Sequence, residues 1–236
     1  MTMPALPVTK KISCPECGKE FDATPKQIES EKLILAEGMD VHGFLFHAAR
    51  AFDRNDIQVF NFKGKDELRL FLEDLANMEN FTSVNTIVIA RDAETNVQSS
   101  IQSIRSALEN AKNVNLPIPI RPFEFTSRNG IKIAFILFPG FDKNGNLRSG
   151  TIEDLCLATV GDDPLVKNCV SSFLVCVREN QQGNDKLRHP WKSKLHAYLA
   201  GKDDHVGKKL GVAAKDRVWK WDHAAMAPFK KIIQEM

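Results

Sequence analysis

The chain has 236 residues, of which 43% are hydrophobic and 26% charged, and its formal net charge at pH 7 is +2. That length and balance bury a sizeable core and exclude a disordered or fibrous protein. No apolar run approaches the roughly 20 residues that span a bilayer. Met1 to Lys11 shows no charged start followed by an apolar signal segment, and five cysteines without framework spacing suit a reducing cytoplasm.

Charge is segregated along the chain. From Lys186 to Met236 twelve Lys and Arg face five Asp and Glu, a net of +7, while the preceding 185 residues carry −5. A basic tail behind an acidic core suits a polyanionic substrate when metal offsets the core's own anions; a solvated helical face is the other reading of the same excess.

Met1 to Lys11 holds Pro4 and Pro7 and reads as a lead-in. Cys14-Pro15-Glu16-Cys17-Gly18 then has the spacing of two sulfurs on one zinc ion, but tetrahedral zinc needs four ligands and no second Cys-x-x-Cys follows. His42 and His47 fall in an expected helix, five residues apart, which sits poorly on one face. Cys14 and Cys17 thus stay open between a Zn2+ site within the chain, one shared between two copies, and a metal-free turn or redox pair. Thr24-Pro25 has the form of a cap and first turn and predicts a short helix leading to a strand at Lys32.

Lys32 to Ala36 is an apolar run that ends in Glu37-Gly38-Met39-Asp40, and Phe44, Leu45, Ala48 and Phe52 follow at helical spacing. Ile57 to Phe60 reads as a second strand and Glu67 to Leu75 as a second helix. Gly64-Lys65 between them lacks the upstream glycine and downstream Ser or Thr of a phosphate-binding loop. Thr86 to Ala90 is a third strand, running into Arg91-Asp92-Ala93-Glu94 and an amphipathic helix carrying Val97, Ile101, Ile104 and Leu108. Strand and helix in alternation predict an α/β fold with a mostly parallel sheet and right-handed crossovers.

Ile131 to Phe138 is a further strand, followed by an exposed loop from Phe141 to Gly150 and a helix capped by Thr151, with Glu153 and Asp154 in its first turn. Asp162-Asp163-Pro164 opens a helix to Val177 in which Cys169 and Cys176 are expected in the core. In Trp191 to Leu199 a helix would align Lys192 with His196 and Lys194 with Tyr198. Trp219, Trp221 and Phe229 close the core from the C-terminal side, although tryptophans can also stack on bases.

Three of these segments deliver acids to element ends. Glu37 stands at the tip of the first strand, with Asp40 one turn on, and Asp92 and Glu94 are two apart at the tip of the third, where extended backbone would point both to one side. If the two strands are neighbours, Glu37, Asp92 and Glu94 converge. Converging buried anions are stable only with raised pKa values or a bound cation, and oxygen-only ligands favour Mg2+ or Mn2+.

These residues resemble the TOPRIM domain shared by topoisomerases, primases and the overcoming-lysogenization-defect nucleases. That family carries Glu-Gly after its first strand and Asp-x-Asp after its third, matched by Glu37-Gly38 and Asp92-Ala93-Glu94, with Glu in place of the second Asp. Asp40 completes a Glu-Gly-x-Asp form similar to the nuclease branch. The resemblance spans roughly Glu31 to Asp154, and bacterial proteins with a TOPRIM core that runs into a segment like Lys194 to Leu199 are similar as well. It implies a Rossmannoid core at 31–160, a Cys-x-x-Cys appendage at 1–30 and a basic helical extension at 161–236.

The resemblance also implies a metal-dependent nuclease of DNA or RNA, with Glu37, Asp92 and Glu94 sharing one ion or bridging two, and Asp40 and Glu153 completing the second. Acids in a helix's first turn are also favoured by the macrodipole alone, which is the other reading of Glu153. Lys194 or His196 would neutralise phosphate or move a proton, against a plain surface-helix reading. The only tyrosine, Tyr198, does not follow the topoisomerase pattern. Nucleases of this kind often work beside an ATPase in bacterial defence against phage, so an ATPase subunit and a second copy of the chain are candidate partners. A non-catalytic metal-binding interaction module is the alternative.

Overall fold

The computed structural model describes residues 11–13, 20–22, 27–181, 187 and 189–236. Cys14, Cys17 and the expected helix start at Thr24-Pro25 lie outside them. A small antiparallel pair joins β1 (Lys11–Ser13) to β2 (Glu20–Asp22). The main sheet contains β3 (Lys32–Ala36), β4 (Ile57–Asn61), β5 (Thr86–Asp92), β6 (Thr126–Arg128) and β7 (Ile131–Phe138), in the order β4-β3-β5-β7-β6. All pairings are parallel except that of edge strand β6 with β7, so the α/β architecture read from the sequence is the one observed.

Strands buried on both faces read as unbroken apolar runs, and alternation divides each run between two cores. Ile34, Val88, Ala90 and Ile136 face one helical layer, whereas Leu33, Leu35, Ile87, Ile89 and Phe135 face the other. The first layer contains α1 (Gly38–Ala51), α4 (Ile152–Thr159), α6 (Pro190–Ala200), α7 (Leu210–Lys215) and α8 (Ala227–Glu235). The second contains α2 (Leu68–Ala76) and α3 (Val97–Asn110).

The chain leaves β3 toward one edge through α1 and returns past it to β5, then continues toward the other edge through α3. With right-handed crossovers this forces α1 and α3 onto opposite faces, and a crevice opens at the carboxyl ends of β3 and β5. Both acid-tipped segments end there.

The segment 161–236 packs directly on the sheet. Leu195, Tyr198, Leu199, Trp219, Phe229, Ile232 and Ile233 share one core with the sheet residues, and the Phe229 ring stacks on Phe138 at 5.0 Å. Trp219 is buried, with its indole N–H donating to the Leu210 carbonyl at 3.3 Å, and Trp221 packs on Phe44. Both tryptophans are therefore used in packing. Arg54 Nη1 donates to the carbonyls of Ile233 at 2.5 Å and Gln234 at 2.9 Å, holding the end of α8. At Gly43 and Gly211 the backbones of α1 and α7 meet so closely that a Cβ on Gly43 would stand 3.0 Å from Gly211 Cα.

Two expectations are corrected. Residues 27–31 carry no helix; Gln27 forms a β-bridge with Glu79 and Gln58 accepts the Glu29 N–H at 2.8 Å, so the segment is tied to the sheet in extended form. Cys169 and Cys176 are exposed. The helix expected there begins with a π-helical stretch, Leu165–Val170, before α5 (Ser171–Asn180). Wider turns rotate the following residues out of the 3.6-residue phase, and Leu174 alone in α5 stays buried. No helix among the described residues is long and apolar enough to cross a membrane.

Candidate functional site

β3 and β5 are neighbours in register, Ala36 opposite Ala90, and the Glu37 N–H donates to the Ala90 carbonyl at 2.9 Å. Adjacent strands run about 4.8 Å apart, so Glu37 and the Arg91-Asp92 step lie side by side. Alternation then sorts the side chains. Arg91 falls on the α2/α3 side, where its Nη1 donates to Ser103 Oγ of α3 at 3.0 Å and its Nε stands 3.2 Å from Glu37 Oε2. Asp92 falls on the other side, where its Oδ1 accepts the Ile152 N–H of α4 at 2.8 Å. The acids thus straddle the sheet edge.

Burial and crowding set their charge. Burial raises the Asp92 pKa well above its ordinary value of 3.8, and the carboxylates of Glu153, Glu37 and Glu94 push the same way against the Ile152 amide. Burial also raises Glu37, with Glu94 adding to it, while Arg91, Lys65 and the Asp92 amide offset part of the rise. The thiol of Cys156, fully buried one turn beyond Glu153, is pushed up by burial and then by Glu153, Asp40 and Asp92. Five carboxylates are therefore close enough to act on common neighbours. Glu94 reaches this group by a route the sequence did not indicate: the strand ends at Asp92, and Glu94 has a left-handed φ of 50° and bridges Gly150, so simple alternation does not apply.

Glu153 is 6% exposed and its Oε2 is a buried acceptor without a hydrogen-bond donor, whereas Glu37 Oε2 lacks an aligned hydrogen bond but is ion-paired with Arg91. An unpartnered buried carboxylate oxygen such as Glu153 Oε2 is what a hard cation would satisfy, so the oxygen donors fit Mg2+ or Mn2+. Among the described residues, however, no three His, Cys, Asp or Glu side chains are already drawn together as a ready-made ligand set. Asp154 has a different task. Its Oδ2 accepts the Thr151 N–H at 2.9 Å and the Thr151 hydroxyl at 3.3 Å, closing the capping box of α4. Asp154→Ala is expected to cost about 1 kcal/mol in thermal or urea unfolding, as the loss of a helix cap does.

A family model described as "Protein of unknown function (DUF3226)" matches residues 31–236. The chain belongs to that family. No curated protein matches it. Two solved structures of the C-terminal region of the Xanthomonas campestris pv. campestris OLD protein, one phased with iodine and one with mercury, are similar to it. Each is 12% identical, covers 88% of this chain and 96% of its own, and has a TM-score of 0.39 or 0.36 respectively.

Of the other expected residues of this DUF3226 chain, Lys194 and His47 make no hydrogen bond or ion pair with the carboxylates among the described residues. Lys194 is half-buried on α6, which packs on α4, and makes no hydrogen bond or ion pair to another described residue. His42 Nε2 lies 3.2 Å from the Val59 carbonyl, and His47, further along α1, is held below the usual histidine range by burial and by Arg50 and Lys215.

Sequence reasoning missed three contributors. Arg91 is 2% exposed, an unusual burial for arginine that the facing Glu37 and the Ser103 hydroxyl accommodate. Asn61, at the tip of β4, accepts the Gly38 N–H at 3.1 Å and the Lys63 N–H at 2.7 Å and so fixes the turn behind Glu37. Cys156 is the third. Glu153 and Cys156 are three apart on a helix, a visible signal of a shared face.

Proposed function

We propose that this protein is a divalent-metal-dependent nuclease whose site is the carboxylate group at the tips of β3 and β5. The observation that supports this reading is the crowding of Glu37, Glu94 and Glu153 on Asp92 near the switch point of the sheet, with the pKa values of Glu37 and Asp92 raised and Glu153 Oε2 left a buried acceptor without a donor. The TOPRIM resemblance of Glu37-Gly38 and Asp92-Ala93-Glu94 supports the same reading.

Glu37, Asp92 and Glu153 would hold the ion or ions, with Asp40 and Glu94 at the margin. The chemistry such an ion would supply when bound is polarisation of a phosphoryl oxygen and a lowered pKa for an attacking water. The chain supplies the positioning. The backbone bonds of Glu37 to Ala90 and of Asp92 to Ile152 fix two ligands on rigid elements, Arg91 orients Glu37 and keeps part of its charge, and Asn61 holds the turn. An ATPase subunit and a role in defence against phage belong to the same proposal, on the strength of the resemblance alone.

A non-catalytic metal-binding module is favoured by one observation, the hold of Arg91 on Glu37. Incubating labelled DNA and RNA with wild type, Glu37→Ala and Asp92→Ala in Mg2+ and in Mn2+ separates the two. The nuclease reading expects cleavage by wild type and a loss of at least about 10³-fold in either variant, since removing a ligand removes the group that stabilises the developing charge. Equal activity in all three preparations rejects it.

A further inference from the structure

Between α2 and α3 lies a polar groove of about 600 Å3, lined by the cations Lys65, Arg69 and Lys112 and by Ser103, Ser106 and Asn110. It is joined to the carboxylate site through one side chain. Ser103, in the groove wall, accepts from Arg91 Nη1, and Arg91 Nε lies 3.2 Å from Glu37. Lys65, at the mouth, is close enough to Glu37 for its charge to oppose the rise of the Glu37 pKa.

We propose that this groove binds the phosphate backbone of the nucleic acid that reaches the carboxylate site, with Lys65 and Lys112 as its principal phosphate contacts. The inference rests on the nuclease reading for the identity of the ligand. Lys65 and Lys112 are exposed, and neither side chain forms an ion pair with another described residue. Arg69 is partly neutralised by Glu73, 2.8 Å away, which also accepts the Lys112 N–H at 3.0 Å and so fixes the far wall of the groove. Asp66 is its one lining acid.

The basic tail carries the larger formal excess, of which one cation, Lys202, is matched by an acid outside the tail. Lys202 pairs with Asp163 at 2.9 Å, Lys208 with Asp216 at 2.5 Å and Lys231 with Glu235 at 3.9 Å. The groove lining contains no aromatic ring on which a base could stack, so recognition there falls on phosphate and is independent of sequence.

The test is fluorescence anisotropy with full-length protein in EDTA, using end-labelled mixed-sequence 20-mers as single-stranded DNA, duplex DNA and RNA. The variants are Lys65→Glu/Lys112→Glu and, as a charge-matched control on the opposite layer, Lys220→Glu/Lys231→Glu. Circular dichroism melts confirm that both are folded. The groove variant is expected to weaken binding at least about tenfold at 100 mM salt, and to flatten the dependence of log K on log salt by about two contacts' worth, near 1.8 on duplex. The control should move affinity far less.

Absence of binding by wild type, equal binding by wild type and groove variant, or an equal loss in the control each overturns the proposal. Wild-type cleavage is assayed in parallel with Mg2+ and Mn2+. Groove-dependent binding without cleavage leaves the groove assignment standing and removes the nuclease reading, whereas cleavage with unaltered binding in the groove variant does the reverse.

Discussion

Asp92→Asn should make the metal-free protein more stable while ending its response to metal. The amide oxygen can still accept the Ile152 N–H that Asp92 accepts at 2.8 Å, so the local geometry is kept. What disappears is a buried negative charge facing Glu153, Glu37 and Glu94. Relief of that repulsion is expected to contribute about 2 kcal/mol at pH 8, or about 4–8 °C in Tm for a chain of this size.

The sign of the pH dependence follows. The folded-state pKa of Asp92 lies above its ordinary 3.8, so between the two values the folded protein holds more protons than the unfolded one. Stability from this group is full below about pH 4 and is lost as pH rises toward the folded pKa. Glu37, also raised, acts in the same direction from its ordinary 4.5 upward. Melts of metal-free wild type from pH 5 to 8 should show this loss relative to Asp92→Asn. Millimolar Mg2+ or Mn2+ should recover it in wild type alone. A variant that melts below wild type at pH 8, or that gains as much from metal, contradicts the assignment.

Gly43→Leu should be strongly destabilising although it lies outside the site. A Cβ at Gly43 would stand 3.0 Å from Gly211 Cα and 3.6 Å from its carbonyl carbon, and backbone cannot swing aside as a side chain does. Leucine adds three further carbons at that contact, so α7 must lift from α1 and expose the core around Leu210, Ala213 and Ala214. Overpacking of this kind costs about 3 kcal/mol, or about 6–12 °C in Tm. Gly43→Ala should stay within about 1 kcal/mol of wild type, because the gain in helix propensity offsets the tight contact. Gly64, where nothing lies within 4 Å of an added Cβ, is the size-matched control, and Gly64→Leu should leave the melt nearly unchanged.

The parallel sheet and the adjacency of the β3 and β5 tips were legible because both depend on short-range pattern. A β-branched run ending in an acid specifies a strand tip, and alternation with helices specifies how tips align. Arg91 was not legible, because the reason for burying it lies on another strand, one register position away. The alternation argument for Glu94 fails, since the strand ends at Asp92 and the Glu94 backbone turns left-handed. The exposure of Cys169 and Cys176 depends on a π-helical turn whose wider pitch carries no mark in the apolar spacing.

The shared core of the sheet and the last helices leaves little room to divide the polypeptide. A cut after Glu153 and Asp154 would keep the whole carboxylate set, yet strip Phe138 of its stacked Phe229 and remove the part of the shared core that α6, α7 and α8 supply. The acids at one end of the strands are thus held in place by residues more than seventy positions away in the chain, and the smallest self-supporting unit that includes the site extends to the final helix.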